Sequence, residues 1–415
     1  MCDGVWPRRI AVVVYCCVVV CVAGIRGFGS PRYGWDVLGY SGVVLSYDSN
    51  DPVVIHGGAY GALRDAAPAA VVHELTSSSP YRAEVAHNPQ AFIEQLSFYR
   101  MRMLYSSLLY VLYKCGVNIV QAASAVSALS YVLLALVGLS WMKRHLDPVC
   151  AALVSGFIFL SSPFTHVANI PTPDGLAALI VVAAGYAFLE AGNRRLSFVL
   201  LTVAVLVRHE TAILGLMFSA WLLLFRRAER LRARLACFAA SSSAILGAYV
   251  FVTRLNGAYG WRTLFHHTFV DPLVHPASAF VSVGLDDYFR AVATDLVPSA
   301  LATSVIPYML VLAIALVLHV RSGGGLALDE PWVMFSCVLL LNFMVRTLLF
   351  PALFERFFVA HYLIFAVLAV RTLRLGLPDA YGLDTGARVD TRDRAMIQPA
   401  SAGASASSSA SGMTS

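Results

Sequence analysis

Long apolar runs separated by short polar stretches dominate the chain. The runs begin near Ile10, Asn118, Pro148, Gly175, Leu196, Thr211, Leu235, Ala300, Pro331 and Phe357. A backbone immersed in lipid has to satisfy its own hydrogen bonds, so runs of this kind predict helices. The pattern predicts an all-α polytopic membrane protein with about ten transmembrane helices and a long helical first outer loop. Several runs fall short of the ~20 residues that span a bilayer, which leaves their boundaries soft. Residues 104–113 would make an eleventh crossing and put Lys143 and Arg144 on the wrong side. They are read instead as a helix lying against the outer surface.

Composition supports this class. Apolar residues make up 58% of the 415 positions and charged residues 13%, against about 25% charged in an ordinary soluble domain. The net charge of +6 comes from short basic clusters between apolar runs, which is membrane topology and points away from nucleic acid. Placing Arg8 and Arg9, Lys143 and Arg144, Arg194 and Arg195, the arginines of 226–234, Arg321, Arg371 and Arg374 in the cytoplasm puts both termini inside. The outer segments are then 26–113, 161–174 and 254–298, with tight turns at 208–210 and 351–356. A multi-pass plasma (inner) membrane protein with its site facing outward is expected. The first run, with two arginines ahead of it and a V-A-G-like end, also has the form of a cleaved signal peptide. Residues 1–374 are read as one transmembrane domain. The Ser- and Ala-rich segment 375–415 is read as a disordered cytoplasmic tail. None of the eight cysteines forms a C-x-x-C pair, so no zinc motif is present.

Acidic and histidine residues concentrate on the predicted outer face. Asp36, in GWDVLGYSGVV, stands within about a dozen residues of the first run, where desolvation would favour a general base. It equally suits the cap of the helix expected over 37–45. Asp174, in PTPDG, fits a helix N-terminus or a shared cavity. Arg208, His209 and Glu210 fall in a turn near membrane depth, where charges are either paired or functional. Arg100 and Arg102, in a tyrosine-rich stretch, suit either headgroup anchoring or phosphate binding. Glu355 and Arg356 repeat the acid–arginine theme before the last run, and Arg346 adds a cation at similar depth. Outer-end arginines of this kind suit an anionic headgroup. His266, His267, Asp271 and His275 form a spacing that matches no known metal fold, and wet loop histidines are the plainer reading.

The W-D-x-x-G-Y at 35–40 and the R-x-L-Y-x3-L-Y-x-L-Y-K-x-G-V-N at 102–118 resemble the membrane glycosyltransferases of the GT-C superfamily. The similarity is to the polyprenol-phosphate-sugar-dependent branches, over residues 8–210. Beyond that it extends only to helix number and the E-R pair before the last run. The resemblance implies that Asp36 is the catalytic base or a metal ligand and that Asp174 shares the site. It implies that Arg208 and Arg356 hold a lipid phosphate; Arg100, His209, Glu210 and Glu355 complete the candidate binding set. Many relatives carry adjacent acids where this chain has Asp36 followed by Val37, so a divalent metal is an open alternative and no cofactor is assigned.

The expected activity is transfer of a hexosyl or pentosyl group, with inversion, from a polyprenyl-phosphate carrier to an acceptor hydroxyl on the outer face. The acceptor would be a lipid, glycan or protein. A transporter or flippase for a lipid-linked or anionic substrate is the alternative from another class. An inactive scaffold of the same build is a third.

Overall fold

The computed structural model describes residues 5–226, 229–255, 257, 259–321 and 330–376. The predicted tail, apart from its first two residues, lies outside the described residues. Every regular element among them is helical, and each apolar run folds as a helix. Among the described residues four helices are long and apolar enough to cross a membrane: Trp6–Gly29, Ile119–Met142, Leu231–Arg254 and Pro331–Leu349. The count reaches six if Pro148–Leu160 with Ser162–Asn169, and Leu285–Ala302 with Val305–Leu318, are each one bent span.

Asp174–Leu189, Arg194–Val207 and Thr211–Phe225 are shorter, at 16, 14 and 15 residues. At 1.5 Å per residue they reach roughly 21–24 Å, short of the ~30 Å hydrocarbon core. They are nonetheless apolar and pack into one large core with the longer helices, around Tyr131, Trp141, Phe218, Phe335 and Phe365. The first helix belongs to that core. Tyr15, Val19 and Ala23 recur every four residues on its buried face, and the Tyr15 hydroxyl donates to the Ala135 carbonyl at 2.9 Å.

The first long loop is a chain of short helices: Asp36–Leu45, Pro52–Ala66, Ala69–Ser77, Pro80–His87, Pro89–Gln95, Ser97–Arg100 and Met103–Lys114. Three of them start where a capping residue precedes proline, whose ring already holds the helical φ. Asp51 accepts from Val53 N–H at 2.9 Å, Ser79 from Arg82 N–H at 3.2 Å, and Asn88 from Gln90 and Ala91 N–H. These helices bury their own core of Leu38, Tyr40, Leu63, Phe92, Leu96 and Tyr105.

Met103–Lys114 is two-faced. Tyr105, Ser106 and Leu109 are buried while Leu108 and Val111 are exposed, as expected of a helix lying on a surface. It turns into Ile119–Met142 at Gly116, whose φ of 87° suits glycine. Asn118 then caps the long helix by accepting from Val120 N–H at 2.9 Å.

Polar residues gather at two ends of the bundle. At one, Arg194 pairs with Glu229, His145 with Glu190, and Arg374 donates to the Arg144 carbonyl. At the other, the starts of Asp36–Leu45 and Asp174–Leu189 meet the 208–210 turn and the Glu355–Phe357 turn.

Candidate functional site

Four arginines and three carboxylates converge at that second end. Asp36 is the first residue of its helix, with Trp35 at the cap position and no side-chain capping bond. Its carboxylate turns outward instead. Oδ2 accepts from Arg356 Nη2 at 3.1 Å, and among the described residues Oδ1 has only the Tyr99 hydroxyl, at 3.4 Å. Tyr99 comes this close because position 39 is glycine; a Cβ there would overlap the Tyr99 ring. Asp174 also opens a helix without capping it. Its Oδ1 is bonded by Arg208 Nη1, while Oδ2 accepts from Thr172 Oγ1 at 2.8 Å and faces Arg356 Nε at 3.2 Å. Both acids stand one position inside the cap, which Trp35 and Pro173 occupy, and each carboxylate makes its charge-assisted bonds to a guanidinium from a distant segment.

The two carboxylates differ in access. The Asp36 side chain is 33% exposed and that of Asp174 is 3%. The first is open to an incoming molecule; the second is enclosed and fully engaged.

Arg208 is held on three sides. Nη1 goes to Asp174, Nη2 to Glu210 Oε1 at 3.3 Å, and its guanidinium lies 3.9 Å from the centre of the Phe357 ring. Glu210 faces Arg102 Nη2 at 3.6 Å and His209 Nδ1 at 3.4 Å. Burial works to raise the Glu210 pKa, but His209, Arg208 and Arg102 outweigh it and hold it well below the usual carboxylate range. Burial pushes His209 down to about 4, against the pull of Glu210, so the imidazole is neutral near pH 7.

Arg356 and Arg346 also lie over the Phe357 ring, at 5.3 and 5.8 Å from its centre. One aromatic ring thus serves three cations, whose attraction to it offsets part of their mutual repulsion. Arg346 donates to the Phe357 carbonyl at 3.3 Å. Among the described residues it has no carboxylate within ion-pair distance, unlike Arg102, Arg208 and Arg356. A cavity of about 30 Å³ beneath the cluster is lined by Asp174, Arg208, Arg346, Asn342, Arg356 and His361. It has room for a water or two, and two buried atoms on its lining residues, Asn342 Nδ2 and His361 Nδ1, have no hydrogen-bond partner among the described residues.

Of the residues singled out in the sequence, Asp36, Asp174, Arg208, His209, Glu210 and Arg356 are brought together. Arg100 and Glu355 are not. Arg100 lies beside Tyr47 and Tyr259, and its place in the cluster is taken by Arg102. The chain breaks its helix at Arg102, with φ −93° and ψ 50°, which separates the directions of two arginines only two positions apart. Glu355 turns away to accept from Ser304 N–H at 2.6 Å. Tyr99 and Thr172 were not foreseen. A hydroxyl two residues before an acid, as in T-P-D, is the only local hint of the second.

Metal sites fare poorly. Among the described residues no group of three or more His, Cys, Asp or Glu is placed to hold an ion. The histidines of 266–275 disperse: His267 Nδ1 accepts from Leu273 N–H at 3.0 Å, and His275 Nδ1 meets Glu94 at 3.2 Å. Between Asp36 and Asp174 the bridging position is held by Arg356, so the pair as arranged does not fit a divalent cation. In comparisons with known proteins, no family model, curated protein or solved structure matches this chain.

Proposed function

We propose that this chain is a membrane glycosyltransferase of the GT-C type, which moves a sugar from a polyprenyl-phosphate carrier to an acceptor hydroxyl at the outer face. The observation that carries the reading is the contrast between Asp36 and Asp174 on the shared Arg356. One carboxylate is fixed through Oδ2 with Oδ1 lightly held and accessible; the other is sealed under two arginines.

In this scheme Asp36 Oδ1 takes the proton of the acceptor hydroxyl as that oxygen bonds to the anomeric carbon. The carbon–oxygen bond to phosphate breaks at the same time, and its electron pair leaves with the phosphate. The departing group is a stable anion and needs no acid; arginines positioned in advance stabilise the charge it gains. Arg346, which has no acid within ion-pair distance among the described residues, is the cation best suited to face it. A single displacement inverts the anomeric centre, and hexosyl and pentosyl donors are both accommodated by the chemistry. Asp174 becomes a positioning residue that fixes Arg208 and Arg356. Glu210 does the same for Arg102 and Arg208.

The short apolar helices complete about ten crossings in this reading, with both termini cytoplasmic and the charged turns sunk below the outer surface. A run of ~21–24 Å leaves its end near the headgroup level only where the bilayer thins. That would place the arginine cluster at the depth of a lipid phosphate.

The test uses membranes containing the full chain and a panel of labelled polyprenyl-phosphate sugars, with and without a divalent cation. Asp36→Asn is expected to lower transfer by about 10²–10⁴-fold at an unchanged level of protein in the membrane. Transfer retained in that variant overturns the reading. Movement of the labelled lipid across the membrane without transfer makes the protein a carrier instead.

A further inference from the structure

A second, larger pocket lies in the outer loops and includes Trp35, the chain neighbour of Asp36, in its lining. It has a volume of about 450 Å³ and is lined by Trp35, Tyr81, His267, Arg82, Ser79 and Pro272. This falls within the ~300–1,000 Å³ typical of small-ligand sites. The pocket is open-sided, and its aromatic residues are half-buried, with surface left to offer. The Trp35 and Tyr81 rings stand 5.6 Å apart at 55°, and Tyr81 and His267 5.5 Å apart at 70°. Tilted rings of this kind form walls and leave the faces between them uncovered by each other.

The walls come from segments far apart in the chain and are fixed there. The loop carrying Pro272 is docked by Gln95, whose Nε2 donates to the Leu273 and Val274 carbonyls at 2.8 and 2.9 Å. Glu94 accepts from Ala277 N–H at 3.1 Å and meets His275. On the other side Arg82 is steadied through Nη1, which donates to the Glu74 carbonyl at 3.0 Å and to Ser78 Oγ at 2.8 Å. Its Nε and Nη2 make no bond among the described residues. His267 accepts at Nδ1 from Leu273 N–H. Burial pushes its pKa down to about 4, so the ring is neutral and carries its proton on Nε2. The rim therefore supplies a guanidinium edge, an imidazole N–H and serine hydroxyls around an aromatic floor.

We infer that this pocket is the acceptor site, built for a carbohydrate ring stacked against Trp35 and Tyr81. A sugar ring has an apolar C–H face that packs on an aromatic ring and an edge of hydroxyls that needs donors and acceptors. Both halves are present here. Trp35 is covalently next to Asp36, and Tyr99, which bonds Asp36, also lies near Tyr81. Trp35 thus links the pocket to the start of the helix that Asp36 opens. The inference rests on the transferase reading, and it specifies the acceptor as a saccharide-bearing molecule.

Saturation-transfer NMR on the full chain in lipid nanodiscs tests it, with methyl glycosides of common hexoses and pentoses as probes. Wild type is expected to bind at least one glycoside. Trp35→Ala should weaken that binding by about tenfold and Trp35→Phe by much less, because one good aromatic contact is worth roughly that factor. Tyr81→Ala, which leaves the neighbour of Asp36 intact, should also weaken it and serves where Trp35→Ala fails to fold. Absence of glycoside binding in wild type, undiminished binding in both alanine variants, or selective binding of a serine- or threonine-containing peptide overturns the inference. The transferase reading itself stands or falls separately, on transfer by Asp36→Asn.

Discussion

Arg356 reaches Asp36 across 320 positions of the chain, with Nη2 3.1 Å from Oδ2. The same guanidinium presents Nε to Asp174 at 3.2 Å. It is a strap between the first long loop and the membrane bundle, and it uses the planar fork that distinguishes arginine from lysine.

Arg356→Lys is therefore not conservative. An ammonium is a point charge and cannot address two carboxylates along separate edges. Transfer is expected to fall by about 10²-fold, the order seen when a positioned group moves by roughly an ångström. Initial rates at saturating donor check this; a rate within threefold of wild type contradicts the strap.

Removing Arg208 exposes the cost of the buried pair. Arg208→Met leaves Asp174 enclosed with one cation fewer, and breaking such a pair typically costs about 3–5 kcal/mol. Asp174→Leu combined with Arg208→Met should cost less than the sum of the two single changes, because no uncompensated charge remains at Asp174. Unfolding in mild detergent measures all three variants. Additive losses would mean that the two residues do not act as a pair.

Arg346 should behave in the opposite way. With no carboxylate partner among the described residues, it adds repulsion against Arg208. Arg346→Gln is expected to leave thermal stability unchanged or raised. The donor KM should rise by about tenfold, the signature of a lost binding contact when kcat is unaffected. An unchanged KM removes Arg346 from the proposed phosphate-binding set.

The outer loops carry a pH dependence through His267. Its pKa lies at about 4, lowered by burial and by His266, with Asp271 pulling the other way. The unfolded chain, near the ordinary value of about 6.5, takes up the proton first. Stability from this group is therefore complete above pH 6.5 and is lost as pH falls toward 4. His267→Gln should flatten the melting-temperature profile over that window relative to wild type. Parallel profiles would show that His267 does not titrate with unfolding.

Much of the architecture is legible locally. The helical nature of the apolar runs follows from the need to satisfy backbone hydrogen bonds, and the helix starts at Asp51, Ser79, Asn88, Asn118 and Asp147 follow from capping chemistry. The same local logic misleads at Asp36 and Asp174. Both sit at helix starts as a cap would, but each carboxylate is drawn off by an arginine from a distant segment. The dispersal of the 266–275 histidines has a similar cause, since His267 and His275 bond to the docked loop and to Glu94 before they can face each other.

The sequence by itself determined that the chain is helical, apolar enough for a membrane, and charged at the helix ends. These properties depend on neighbours within a turn or two, which the sequence lists in order. Only the tertiary structure decided which charges meet: Arg102 with Glu210 while Arg100 stays outside, Arg356 inserted between two acids, Arg346 without one among the described residues, and Glu355 turned away. Such pairings are set by how helices pack over hundreds of positions and by which way a broken helix aims its side chains. Nothing in local spacing records either.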